Sequence, residues 1–331
     1  MTMNSPFPKS SSAPGEGRLV VKLLSNGTSG LENITYQYPL KLITPSKPSE
    51  HESVLVFLLS YGGGLVGGDS VNLSIDVQPN AKLSVVTQGH TKIFSSSSRD
   101  IITRQTLAVQ IADGAALCLL PDPVQPFEDS VYEQMQVFKL AMSGSLCLLD
   151  WVTQGRKARG ENWSLTRWVG RNEVWVPDQA RPNGERLLVR DIVILDAERP
   201  QSEMPGLRES MSRMGVFGTL LLRGPMVKTL GEFFLAEFAS LPRIGARDFR
   251  SEEAKLAEVE ELSQLERWQK ERIQMEKEKG LLWSAANVRG CVVVKFGAPD
   301  VEAGRDWIGS MLLQEGSIAE IFGNQALMCV R

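Results

Sequence analysis

The chain has 331 residues, 42% of them hydrophobic and 23% charged, with a formal net charge of −3. That length admits two domains or one large β-rich domain, and the charge balance excludes a strongly basic nucleic-acid binder on global electrostatics. No apolar run approaches the ~20 residues that span a bilayer as a helix. The N-terminal stretch MTMNSPFPKSSSAPGEG has no apolar core and is not read as a secretory signal. Its Ser, Pro and Gly content predicts a disordered tail over 1–17, followed by a single β-rich domain over 18–331.

Short apolar segments follow in series. Strands are predicted at Arg18–Leu24, over Asn33–Ile43 and at Val54–Tyr61, the last so uniformly apolar that both faces are expected to be buried. After the glycine run Gly62–Gly68, Val71, Leu73, Ile75 and Val77 alternate with polar residues, the period of a half-buried strand. Alternation returns at Leu83–Thr87 and at Leu107–Ile111, with Pro79-Asn80 and Asp113-Gly114 as turns. Ala115–Leu120, Val131–Leu140, Leu146–Val152, Val174–Val176, Leu187–Leu195 and Val216–Leu222 extend the pattern. Turn signals every ten residues or so, with no helix between strands up to residue 196, argue for stacked sheets, a sandwich or a barrel rather than a βαβ fold. The C-terminal third changes character. Met226–Ser240 reads as a helix, with Phe233, Phe234 and Phe238 toward a core or a partner surface. Ser251–Lys279 reads as one long helix with nine Glu and six Lys/Arg, capped by Ser251 and stopped by Gly280. This 251–280 segment is either a solvated helix lying on the body or a partner-docking helix. A strand at Gly290–Phe296 and a helix at Val301–Leu313 close the chain.

The four cysteines (Cys118, Cys147, Cys291, Cys329) are far apart in sequence, and only His51 and His90 are present. No zinc knuckle, redox pair or HExxH can be written. Buried free thiols in a reducing compartment, and so a cytoplasmic location, are the expectation.

Four polar segments stand out. Gly62–Gly67 matches GxGxxG, but a dinucleotide site needs a helix opening at the glycines, and a strand pattern follows instead. Asp69 behind it is either a turn-capping aspartate or a carboxylate in a glycine-lined recess suited to a cation. Thr87–Phe94 is a polar loop. Leu119–Asp129 holds three prolines and the acids Asp122, Glu128 and Asp129, a rigid acidic connector. Gly155–Glu161, after Asp150, brackets three cations between glycines and ends in Glu161; Arg156 and Arg159 can pair with carboxylates such as Asp150 or Glu161 in a structural ion network.

In this order, GGGLVGGD (62–69), TQGHTKIF (87–94), ALCLLPDPVQPFEDSVYEQ (116–134), DWVTQGRKARGE (150–161) and RLLVRDIVILD (186–196) resemble the urease accessory protein UreD family, called UreH in some bacteria. The likeness covers residues 18–240 and the RGCVVVKF strand, and the long charged helix suggests a eukaryotic, fungal version. The resemblance implies a mainly β fold of two stacked layers in a β-helix-like arrangement with a few helices. It implies no catalysis: such proteins bind apo-urease, join UreF and the GTPase UreG, and help deliver Ni²⁺ to the urease active site through an internal passage. No cofactor is expected to be tightly bound; the nickel is transient cargo. A conduit must release its cargo, and a chain without His or Cys clusters suits that, because such clusters hold nickel tightly. Asp69 and Glu161 match acidic positions of the family motifs and are the first candidates for lining the passage. Asp122, Glu128, Asp129 and Asp150 are lesser ones. The competing reading is a β-rich hydrolase that uses Asp69 and Glu161 as acid and base; a raised carboxylate pKa in an open cleft would favour it.

Overall fold

The period of hydrophobicity sorts the strands into two sheets. In the computed structural model, which describes residues 13–45, 53–182, 184–197, 206–241 and 263–331, strand β1 (Glu16–Leu23) pairs with β2 (Ser29–Tyr36) in one sheet. Strand β3 (Leu40–Ile43) pairs with β4 (Val54–Ser60) in the other. From there the chain coils, adding one strand to each sheet per turn. β5 (Ser70–Val77) joins the first sheet, and β6 (Lys82–Val86), followed by the short β7 (Thr91–Ile93), the second. β8 (Thr103–Ile111) returns to the first, then β9 (Ala116–Leu119) and the short β10 (Val124–Pro126) to the second. β11 (Val131–Leu140) and β12 (Ser145–Thr153) repeat the cycle, and β13 (Arg167–Pro177) leaves it by an antiparallel pairing with β14 (Glu185–Asp196). The coil strands are parallel within each sheet: β5, β8, β11 and β13 in one, β4, β6, β9 and β12 in the other. This is the expected two-layer, β-helix-like arrangement.

The C-terminal part completes the second sheet and covers it. After helix α1 (Leu207–Ser210), β15 (Val216–Arg223) pairs antiparallel with β12. Helices α2 (Lys228–Ala239) and α3 (Gln264–Lys279) precede the antiparallel pair β16 (Leu282–Val288) and β17 (Cys291–Ala298). Helices α4 (Val301–Glu315) and α5 (Ser317–Phe322) end the fold. The result is three layers. The outer sheet has one face in solvent, so β5 and β8 alternate exposed and buried residues. The middle sheet is covered on both faces at its centre, so β9 is buried throughout and β12 at all but one position, whereas β4, expected to be buried on both faces, is half-buried at most positions because it lies next to the edge strand β3. One apolar core lies between the sheets, with Leu19, Ile75, Leu83, Ile93 and Phe138. A second lies between the middle sheet and the helices, with Trp151, Phe234, Phe296 and Trp307. All four cysteines are buried free thiols. No helix among the described residues is long and apolar enough to cross a membrane.

Three expectations are revised. The boundary of the expected tail over 1–17 shifts, because β1 begins at Glu16 and the Gly15 amide donates to the Tyr38 carbonyl at 2.7 Å; residues 1–12 lie outside the described residues. The single predicted strand over Asn33–Ile43 is two strands in different sheets, divided at Pro39. The helix predicted over 251–280 is not continuous. Ser263 has extended backbone angles and caps α3: its Oγ accepts from the Glu266 amide, and the Glu266 carboxylate accepts from the Ser263 amide. This reciprocal capping box lies twelve residues beyond Ser251, the cap expected from the sequence. Residues 251–262, with Leu256, Val259 and Leu262 of the apolar stripe, lie outside the described residues.

Helix α3 docks on the body through buried charge as well as apolar contact. Arg272, with only 1% of its side chain exposed, donates from Nη2 to Glu237 Oε2 on α2 at 2.8 Å and from Nη1 to Glu276 Oε1 at 2.6 Å. Trp307 Nε1 on α4 donates to the same Glu276 oxygen at 2.8 Å. Trp268 packs on Phe233 at 5.8 Å between ring centres, and Phe234 is fully buried. These aromatic residues of α2 and α3 serve the second core.

Candidate functional site

The coil turns four separate sequence motifs into one edge. Residues 61–69, 87–102, 120–130 and 154–166 are successive connections from the middle sheet to the outer sheet, so they stack at one end of the molecule. Parallel bridges join Leu65 to Ile93 and Thr91 to Val124, and Val124 to Val152. The rings of Phe94 and Phe127 meet edge-on at 5.2 Å, and the Arg156 guanidinium lies 3.9 Å from the centre of the Phe127 ring. The glycines answer to this crowding. A Cβ on Gly64 would sit 2.5 Å from the Phe94 ring and 2.8 Å from the Lys92 carbonyl. Gly155, at φ +106°, would place one 2.8 Å from Glu161 Oε2. No helix opens after Gly67: β5 begins at Ser70, which leaves no helix N-terminus for a pyrophosphate.

The acidic candidates occupy this edge in different ways. Asp69 is half-buried, and its Oδ2 accepts from the Val66 amide at 2.9 Å, closing the glycine turn. Glu161 is 6% exposed and held by Arg156, whose backbone amide donates to Oε2 at 2.6 Å and whose Nε donates to Oε1 at 2.8 Å. Burial pushes the Glu161 pKa upward, but Arg156, together with the Glu128 backbone amide, outweighs it and holds the carboxyl below its ordinary range. Asp122 is buried. Its Oδ2 accepts from Thr87 Oγ1 at 3.1 Å and the Gly89 amide at 2.9 Å, and its Oδ1 from Arg305 Nη2 on α4 at 2.8 Å. Arg305 Nε also donates to the Cys329 carbonyl, so this aspartate ties the loop edge to the C-terminus. His90 beside it is held below the usual imidazole pKa, first by burial, with the Asp122 charge opposing. Glu128 and Asp129 are exposed, and Asp129 sits at φ 58° with its amide donating to the Ser164 carbonyl.

Asp150 is elsewhere. It points into the space between the sheets, about 13 Å of strand from the loop edge at ~3.3 Å per residue. Gln134 Nε2 donates to its Oδ1 at 2.9 Å and Asn172 Nδ2 to its Oδ2 at 2.7 Å, both from the outer sheet. It belongs to two facing polar rungs. The outer sheet aligns Gln136, Asn172 and Asp191 across β11, β13 and β14. The middle sheet aligns Asp150, Thr219 and Lys295 across β12, β15 and β17. Contacts cross between them: Thr219 Oγ1 donates to Asp191 Oδ2 at 3.1 Å, and Lys295 Nζ lies 2.6 Å from Asp191 Oδ1. Asn172, Gln134, Gln136 and Thr219 are buried, whereas Lys295 keeps 37% of its side chain exposed and Asp191 12%. Among the members of the rungs, exposure is greatest at Lys295. Burial, reinforced by the Asp191 charge, raises the Asp150 pKa against the Asn172 and Gln134 donors and Lys295. Burial and Asp150 also raise the pKa of the Tyr132 hydroxyl, which donates to Gln134 Oε1 at 3.2 Å. Asp150 nevertheless stays half-buried rather than closed off.

The sequence candidates thus separate into a loop edge (Asp69, Asp122, Glu128, Asp129, Glu161) and an interior (Asp150). Among the described residues, no three His, Cys, Asp or Glu side chains converge as a metal-holding group. Sequence reading missed Asp191, Lys295, Asn172 and Thr219. For Lys295 and Thr219 the available signal was a single polar side chain in an apolar run, VVVKF and FGTLLL; Asp191 and Asn172 sit beside other charged residues and carry no such signal.

The family model described as UreD urease accessory protein matches residues 13–329. The chain belongs to the UreD family. In this UreD-family chain the match runs past the sheets and through the C-terminal helices. An "Uncharacterized urease accessory protein ureD-like" of Schizosaccharomyces pombe is 32% identical over 294 residues, 88% of this chain and 91% of that one. "Urease accessory protein 4" of Cryptococcus neoformans is 28% identical over 340 residues, covering 93% and 92%. "Urease accessory protein D" of Arabidopsis thaliana is 31% identical over 216 residues, 65% and 69%. The two fungal alignments extend over more of the chain than the plant one.

Proposed function

We infer that this protein is a non-catalytic factor of urease maturation in the cytoplasm. It binds apo-urease together with UreF and the GTPase UreG, and Ni²⁺ passes through its interlayer on the way to the urease active site. The observation that carries this reading is Asp150, a carboxylate between the sheets that is bonded to Gln134 and Asn172 of the outer sheet and keeps partial exposure. Single carboxylates, amides and hydroxyls are weak, exchange-competent partners for nickel, as transit requires. Asp69 and Asp150 are the carboxylates we assign to the cargo. Glu161 has both oxygens engaged by Arg156, so we assign it to holding the loop edge in shape. A hydrolase built on Asp69 and Glu161 is disfavoured, because a carboxyl held below its ordinary pKa is a poor general acid.

Asp69→Ala and Glu161→Ala are expected to co-purify with urease and to lower urease activation about tenfold, roughly the effect of 1.4 kcal/mol. Glu161→Ala is also expected to lose about 1–3 kcal/mol of stability, because it strips Arg156 of its carboxylate. Urease assays in a strain carrying each variant, with thermal melts of the purified chains, read both effects. Wild-type activation by both variants would remove the loop edge from the route.

A further inference from the structure

The outer sheet turns one face to solvent, and that face changes character along the sheet. On β5 it carries the short polar residues Ser70, Asn72, Ser74 and Asp76. On β11, β13 and β14, register sets Met135, Arg171 and Ile192 side by side in one rung, and Val137, Glu173 and Arg190 in the next. Met135 and Ile192 are exposed. Glu173 lies on the same solvent face with only 4% of its side chain exposed, because its own donors cover it. Arg171 donates to Oε1 from Nε at 2.7 Å and also from Nη2; Arg190 Nε donates to the same oxygen at 2.6 Å, and Trp175 Nε1 to Oε2 at 2.9 Å. Neither Nη of Arg190 bonds to a described residue, and the two arginines stay 36% and 43% exposed. The surroundings are cationic too. Among the described residues, Arg99, Arg104 and Arg167 extend the face and pair with only two further carboxylates, Glu133 and Asp196, in a chain whose net charge is −3. Interface cores are enriched in Arg, Met and aromatic residues. Arginines already fixed by a carboxylate lose little further freedom when a partner binds.

We propose that the solvent face of β11, β13 and β14 is a docking surface for a protein partner that presents carboxylates beside aliphatic side chains. The aliphatic groups cover Met135 and Ile192, and the carboxylates reach Arg171 and Arg190. Glu173 holds the two guanidiniums in place and is a positioning residue. A second copy of the chain is the poorer occupant, because a two-fold pairing of this face sets arginine excess against arginine excess. The surface lies on the opposite side of the outer sheet from the interlayer, so it stands whether or not nickel passes between the sheets.

The test is site-specific cross-linking in the protein's own host. A photo-cross-linking amino acid replaces Thr106, which shares a rung with Met135, in the full chain, and the joined peptides are identified by mass spectrometry. The expected product is a segment of another protein with Asp or Glu within a few residues of aliphatic side chains. Its yield is expected to fall about tenfold with Ile192→Asp and with Arg190→Glu, the effect of losing one interface anchor. Arg190→Lys, which keeps the charge, is expected to retain most of it. Ile192→Asp replaces an exposed side chain, so it reads the surface even if Arg190→Glu disturbs the fold. A product with a second copy of the chain, with nucleic acid or with a segment lacking acids overturns the surface. So does the absence of any product, or a yield that Ile192→Asp leaves unchanged.

Discussion

Arg272→Ala is expected to lower the stability of the folded chain by about 3–5 kcal/mol, the range for removing one partner of a buried ion pair. The substitution takes from Glu237 and Glu276 one of the two side-chain donors each has, and the charged one in both cases. Glu237 retains Gln269 Nε2 at 2.7 Å and Glu276 retains Trp307 Nε1 at 2.8 Å, but neither donor carries charge. The guanidinium also lies 5.4 Å from the Trp268 ring centre and 5.6 Å from that of Trp283, so its loss removes packing in the second core. Arg272→Lys is expected to recover part of the loss, because an ammonium restores the charge without the planar fork that reaches both partners. Urea unfolding of the three chains reads the difference. A loss below about 1 kcal/mol would mean that the triad is not what fixes α3 on the body.

Asp150→Asn is expected to do two opposite things. Folding raises the pKa of this carboxyl, so its contribution to stability is present below about pH 3.9, the unfolded value, and is lost as pH rises through the folded pKa. Above the folded pKa the ionised carboxylate therefore opposes folding. The isosteric amide removes that charge and can still bond to Gln134 and Asn172, whose side-chain amides can turn over. A rise of the melting temperature by about 2–4 °C, roughly 1 kcal/mol for a chain of this size, is expected. Urease activation is expected to fall at least about tenfold, because the cargo meets an amide in place of a charge. A stabilised but inactive variant separates function from folding more cleanly than any deletion in the loop edge. A destabilised variant would show that Asp150 is structural, and one with full activation that it is not on the nickel route.

The architecture was legible because each layer leaves its own period in the sequence. The alternation of Val71, Leu73, Ile75 and Val77 belongs to an outer-sheet strand with one face in water. The unbroken run at Ala115–Leu120 belongs to a middle-sheet strand covered on both sides. Three of the four loop motifs carried their acids in plain view, but their common edge was not legible. It arises from parallel pairing between strands tens of residues apart, as when Leu65 meets Ile93 and Val124 meets Val152. The start of α3 was misread because a charged helical pattern continues upstream of Ser263, although Ser263 and Glu266 had the spacing of a capping box. The Asp191–Lys295 pair spans 104 residues, and only the facing of two sheets brings it together. The basic loop offered Arg156 and Arg159 as partners for Asp150 or Glu161, and the turn at Gly155 brings Arg156 to Glu161.

The central claim is that this chain carries nickel to urease, and the most direct test is the metal content of urease made without it. The gene is deleted in its own urease-producing host, and urease is purified and assayed for activity and for nickel. The account predicts urease protein at ordinary levels, inactive and nickel-free, restored by the wild-type chain and not by Asp150→Asn. Active urease with full nickel occupancy in the deletion strain would contradict it.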